Sequence, residues 1–149
     1  MSRRAPIFWL THKGTPPIGD TEIAHPYIQV QLSVNYRKTD ALWLETLALV
    51  DTGLTFGLID PQILNTLGAT PEGSREISGN LSTNSTDIYS MHWSLSAAPE
   101  CIVEDKSNAI EHALPFSGAK AIVGMSLLQF GTLHLRGRHS DSFFEFHKP

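Results

Sequence analysis

The stretch Leu47-Ala-Leu-Val-Asp-Thr-Gly-Leu-Thr-Phe56 decides how the chain is read. An apolar run delivers one carboxylate, Asp51, and is followed at once by Thr52 and Gly53. A strand end holds such a carboxylate rigidly, a neighbouring hydroxyl can lock the loop by hydrogen bonding, and glycine lets backbone N–H groups approach the acid. These are the needs of an acid that must hold a proton or a water in one place. Three residues recur by chance, so the flanking segments decide what the motif means.

Upstream, Tyr27-Ile-Gln-Val-Gln-Leu-Ser-Val34 alternates, with Ile28, Val30, Leu32 and Val34 on one face and Gln29, Gln31 and Ser33 on the other. That is the pattern of a half-buried strand. A polar break at Asn35–Asp40 turns the chain, and Leu42–Val50 reads as a second strand that ends at Asp51. Downstream, Phe56–Ile59 reads as a short strand and Asp60–Gly68 as a short helix. Asp60 suits its N-cap, Pro61 its first position, Ile63, Leu64 and Leu67 its apolar stripe, and Gly68 its end.

A polar, glycine-bearing stretch then separates Arg75–Ser78 from Ile88–Leu95, in which Tyr89, Met91, Trp93 and Leu95 alternate with polar residues. The pattern predicts a hairpin. It serves either as a solvated loop or as a flap over a bound substrate. Near the end, Ile122-Val-Gly-Met-Ser-Leu-Leu128 predicts a buried strand end, a glycine at a close backbone approach, and a helical turn carrying Leu127 and Leu128. Thr132–Leu135 resumes as strand.

Composition bounds the class. A chain of 149 residues, 41% hydrophobic and 17% charged, is long enough to bury one core. Nine prolines and eleven glycines break it into many short apolar runs, which favours a strand-rich fold. A net charge of −4 with scattered Lys and Arg argues against nucleic-acid or anionic-membrane partners. One cysteine, Cys101, allows no internal disulfide and fits a reducing compartment; it reads as a buried strand residue. Ile7–Leu10 is too short for a signal-peptide core, and no apolar run is long enough to span a membrane, so the expected location is the cytoplasm.

In order and separation, Leu49-Val-Asp-Thr-Gly-Leu-Thr55 and Ile122-Val-Gly-Met-Ser-Leu-Leu128 resemble the two motifs of the retropepsin-like aspartic proteases. The resemblance spans roughly Pro26 to Leu135. It implies an all-β fold, a dimeric, closed β-barrel with one or two short helices and a flap hairpin. It divides the chain into an N-terminal arm (1–25), a retropepsin-like domain (26–136) and a C-terminal tail (137–149) able to serve as a dimer-interface strand. Asp51 is then the catalytic aspartate, Thr52 the hydroxyl that ties two active-site loops, and Gly53 the residue whose backbone binds substrate near the acid. Leu54, Thr55, Gly79, Asn80 and Val123 are expected to contact substrate, with Gly79 at the flap, while Gly124 packs behind the catalytic loop.

Three positions depart from the family pattern. Leu54 stands where alanine is usual and should narrow the cleft, and Thr55 and Met125 replace the aspartate and arginine that form an ion pair in the retroviral enzymes. Losing both members leaves no buried charge unpaired. Because Asp-Thr-Gly occurs once, two carboxylates require two copies of the chain, meeting across a two-fold axis. The function expected is an aspartic endopeptidase acting on a peptide or protein substrate, without metal or cofactor. The alternative is a catalytically inactive protein of the same fold that binds peptides or partners, a reading that Leu54 keeps open. Other constellations are poorer: Ser126 lies outside a Gly-x-Ser-x-Gly elbow, and the seven histidines lack metal-ligand spacing.

Overall fold

The computed structural model describes residues 3–35, 40–78 and 83–147. In chain order these form β1 (Arg4–Leu10), β2 (His25–Ser33), β3 (Leu44–Val50), β4 (Leu58–Ile59), helix α1 (Pro61–Thr66), β5 (Gly73–Ser78), β6 (Thr83–Leu95), β7 (Ala98–Ala109), β8 (Ala119–Val123), helix α2 (Met125–Leu128), β9 (Gly131–His134) and β10 (Phe143–Phe146). The all-β class and the two short helices agree with the sequence reading.

A ring of six strands closes the barrel. β2 pairs with β3, β3 with β8, β8 with β4, β4 with β7, β7 with β6, and β6 returns to β2 through Val30↔Leu95 to Ser33↔His92. Closure follows from the alternation of β2: Ile28, Val30 and Leu32 point inward and are wholly buried, meeting Met91, Trp93 and Leu95 of β6. Burying each of these aliphatic side chains contributes roughly 1.5–3 kcal/mol. Two pairings, β3–β8 and β4–β7, are parallel. The first matters most for the site, because parallel neighbours release their C-terminal ends side by side.

Helix α1 is built from the local signals the sequence carries. Gln62 N–H donates to Asp60 Oδ1 at 2.8 Å, Pro61 occupies the first turn, and Ile63 and Leu64 face the core. Its end is a left-handed glycine: Gly68 has φ +68°, Gly68 N–H donates to Asn65 O and Ala69 N–H to Leu64 O, the paired bonds of a Schellman ending.

The hairpin of β5 and β6 is present, in register from Gly73↔Ile88 to Ser78↔Thr83. Its expected tip, with Gly79 and Asn80, lies outside the described residues, as do residues 36–39 of the turn expected after Asn35. The long strand β7 extends well past the short apolar segment around Cys101 that the sequence reveals. Its inward positions run Cys101, Val103, Asp105 and Ser107, so polar residues interrupt the apolar pattern while the backbone continues.

The arm and the tail are strands of the same sheet. β1 pairs with β2 through Ile7–Leu10 and with β10 through Arg4–Pro6, and β10 also pairs with β9. Ala5, Ile7, Phe144 and Phe146 are buried there, and Phe143 lies between the Arg4 guanidinium, 4.1 Å from its ring centre, and the stacked His134 ring. Both backbone edges of β10 are therefore filled within its own chain, and among the described strands β9 ends this side of the sheet. No helix among the described residues is long and apolar enough to cross a membrane.

Candidate active site

The parallel pairing of β3 and β8 brings the two sequence motifs together. Val50 lies beside Val123, and the next residue, Asp51, donates its N–H to Val123 O at 3.0 Å. The chain then turns tightly: Leu54 N–H returns to Asp51 O at 3.3 Å, and Gly53 N–H donates to Asp51 Oδ1 at 2.9 Å. One carboxylate oxygen is thus oriented by a backbone donor, a charge-assisted bond when the acid is ionised. The carboxylate itself is exposed.

A second set of bonds fixes the far side of the loop. Met125 N–H donates to Leu54 O at 2.7 Å and Ser126 N–H to Thr55 O at 2.8 Å. These two donors open helix α2, whose Leu127 and Leu128 are buried, so the core holds the donors in place. Gly124 makes the approach possible. A Cβ on it would stand 2.5 Å from Leu54 O and 3.0 Å from Leu54 C, so no larger residue fits without moving backbone. The packing role expected for Gly124 is what the geometry gives.

The expected site residues fall into three groups. Asp51, Thr52, Gly53 and Thr55 are exposed on one loop and Leu54 is half-buried beside them. The Thr52 hydroxyl makes no hydrogen bond to the described residues of its own chain; within the chain, the 51–55 and 124–126 segments are tied through backbone groups instead. Val123, expected to contact substrate, is instead 1% exposed and packs in the core, because the alternation of β8 turns Ala119, Ala121 and Val123 inward. Its carbonyl is the part that serves the loop. Gly79 and Asn80 lie outside the described residues.

Sequence reading missed the exit of the loop. Gly57 N–H donates to the buried Asp105 Oδ2 at 2.9 Å, and Gly57 O accepts from Asn108 N–H at 3.0 Å. Ser107 Oγ donates to the same Asp105 oxygen and accepts from Trp93 Nε1 at 2.9 Å. A glycine inside the Phe56–Ile59 strand pattern was the available signal, since it marks close backbone approach. Nearby, the Arg75 guanidinium of β5 stands 3.9 Å over the Phe56 ring and donates to Lys106 O, which connects the hairpin to the loop that follows Asp51. Among the described residues no cluster of three or more His, Cys, Asp or Glu could hold a metal ion.

Comparison with known proteins gives little to set beside this geometry. No family model matches the chain, and no curated protein does. Among solved structures, the chain is similar to the solution structure of Simian Foamy Virus (mac) protease, at 13% identity and a TM-score of 0.46, covering 70% of this chain and 92% of that one. A likeness of that size assigns no family, and function rests on the chemistry of the site.

Proposed function

We propose that the chain is an aspartic endopeptidase that works as a homodimer, with Asp51 of each copy supplying half of the site. The observation that carries this reading is the Asp51 loop itself: a carboxylate at a strand end, oriented by Gly53 N–H, backed by Gly124 and exposed in the isolated chain. An acid built this rigidly and left open on one side suits a site that a second copy completes. In the dimer the two carboxylates share one proton. The ionised carboxylate removes a proton from water, whose oxygen attacks the peptide carbonyl, while the protonated one donates a hydrogen bond to the carbonyl oxygen. Collapse of the tetrahedral adduct breaks the C–N bond, and the amine leaves with a proton from the dyad.

In this reading the Thr52 hydroxyl, exposed in the isolated chain, bonds to the other copy across the two-fold axis. β9 offers a backbone edge for the contact between copies. The β5–β6 hairpin is the element available to close over a peptide.

The test is incubation of the purified protein with a peptide library across pH, with Asp51→Asn as control and sedimentation over a concentration series. The expected result is a dimer at micromolar concentration and cleavage in a bell-shaped acidic profile, abolished by Asp51→Asn. Two like carboxylates in contact split into one lowered and one raised macroscopic pKa, so activity requires the singly protonated pair. Cleavage that survives Asp51→Asn, or a monomer at every concentration, refutes the proposal. Saturable peptide binding without cleavage at any pH would favour the inactive, peptide-binding alternative.

A further inference from the structure

The loop that presents Asp51 is anchored at three places. Its start hangs on Val123 O and its middle on the N–H groups of Met125 and Ser126, all backbone to backbone. Its end, Gly57, has a backbone bond too, Asn108 N–H to Gly57 O, but the Gly57 N–H is held differently, by the Asp105 side chain. Asp105 is 3% exposed and forms no ion pair with the described residues; its Oδ2 takes both the Gly57 N–H and the Ser107 hydroxyl, and its Oδ1 has no hydrogen-bond partner among them. The rest of the cluster is as deeply set, with Trp93 1%, Ser107 0% and Asn108 2% exposed.

Such a carboxylate is an expensive way to fill space, because an apolar residue of similar volume avoids the desolvation of a buried acid. What an apolar residue lacks is an acceptor for a backbone N–H. Gly57 also shows that the approach is tight: a Cβ there would stand 2.3 Å from Trp93 Cζ2 and 3.0 Å from Asp105 Oδ2. The Trp93–Ser107–Asp105 chain of hydrogen bonds therefore ends on the backbone of the residue six positions after Asp51.

We propose that Asp105 is a positioning residue for Asp51, fixing the exit of its loop through Gly57 and hence the spacing of the paired carboxylates. The inference rests on the reading of Asp51 as half of a paired site. Catalytic groups must be held within about half an ångström of their working geometry, and an error of about 1 Å costs on the order of 100-fold in rate. For two carboxylates sharing a proton, spacing also sets how strongly they repel and how far apart their two titrations lie.

The experiment compares Asp105→Leu with Asp105→Asn in the full-length protein. Asparagine keeps an acceptor oxygen for Gly57 and Ser107, and leucine does not. The leucine variant should lose roughly 10–100-fold in kcat with little change in KM. Its pH profile should narrow from both sides, because carboxylates that relax apart split less; asparagine should restore rate and width together. Amide hydrogen exchange gives a readout independent of catalysis. In the unsubstituted protein Gly57 N–H should be protected although its acceptor is a side chain, and Asp105→Leu should speed its exchange about tenfold or more while β2 is unaffected.

A folded leucine variant with an unchanged pH profile overturns the proposal. So does Gly57 exchanging at the rate of an open loop in the unsubstituted protein, a measurement that decides the matter even if the leucine variant does not fold. If the unsubstituted protein cuts no peptide, the protease reading falls, and Gly57 exchange still decides whether Asp105 holds the loop.

Discussion

Replacing Gly124 by alanine tests whether the two motifs are locked together as described. Gly124 has φ −113° and ψ −166°, extended backbone that alanine adopts freely, so the substitution carries no dihedral strain. The cost is contact. The new Cβ would lie 2.5 Å from Leu54 O, where ordinary contact begins at 3.4 Å, so the loop must retreat by about 0.9 Å (3.4 − 2.5). A retreat along the Met125 N–H to Leu54 O bond would stretch it from 2.7 Å to about 3.6 Å (2.7 + 0.9), beyond hydrogen-bonding range, and would weaken the Ser126 to Thr55 bond beside it. Overpacking costs about 1–3 kcal/mol and each lost bond about 1 kcal/mol, offset by about 0.4–1 kcal/mol from the stiffer unfolded chain.

The net loss expected is about 2–3 kcal/mol, or roughly 4–12 °C in thermal midpoint for a chain of this size. Urea unfolding at one fixed protein concentration measures it, with Gly137→Ala as control, since a Cβ there meets nothing within 4 Å. If Gly124→Ala and Gly137→Ala agree within about 0.5 kcal/mol, the motifs are not packed as described and the account of the loop is wrong.

Asp51→Asn should abolish cleavage without lowering the thermal midpoint, because asparagine can still accept from Gly53 N–H and the side chain is exposed; a loss above about 1 kcal/mol in calorimetry would give Asp51 a structural role instead. Asp60→Ala should cost about 1 kcal/mol by removing the cap on Gln62 N–H, read from the urea midpoint, with Asp60→Ser retaining most of it. Cys101 should react with a thiol reagent at pH 8 only once urea has unfolded the protein, since it is 3% exposed, and rapid labelling of the native chain would contradict its burial. Burial first, then the charge of Glu100, push the Cys101 thiol above its ordinary 9.0, against a smaller opposing effect of Arg3. Because the folded pKa is the higher one, the stability linked to this thiol is fully present below about pH 9 and is lost as pH rises through the folded value; Cys101→Ser should therefore flatten the alkaline limb of a stability profile.

The sequence by itself determined what depends on near neighbours in the chain. The alternation of β2, the capped and glycine-terminated α1, the β5–β6 hairpin and the strand leading into Asp51 are all set by periods and caps a few residues long. Gly124 was legible for the same reason, as a glycine between a buried strand end and a helical turn. Tertiary structure decided what depends on partners far along the chain. The parallel pairing of β3 with β8, which sets Asp51 beside Val123, joins residues that no local pattern connects, and it turns Val123 inward where sequence had put it against substrate. The reach of β7 was hidden because Asp105 and Ser107 occupy inward positions that an apolar pattern cannot register. They lie inside because Gly57 and Trp93 supply hydrogen-bond donors there, and only the folded barrel brings those donors to them.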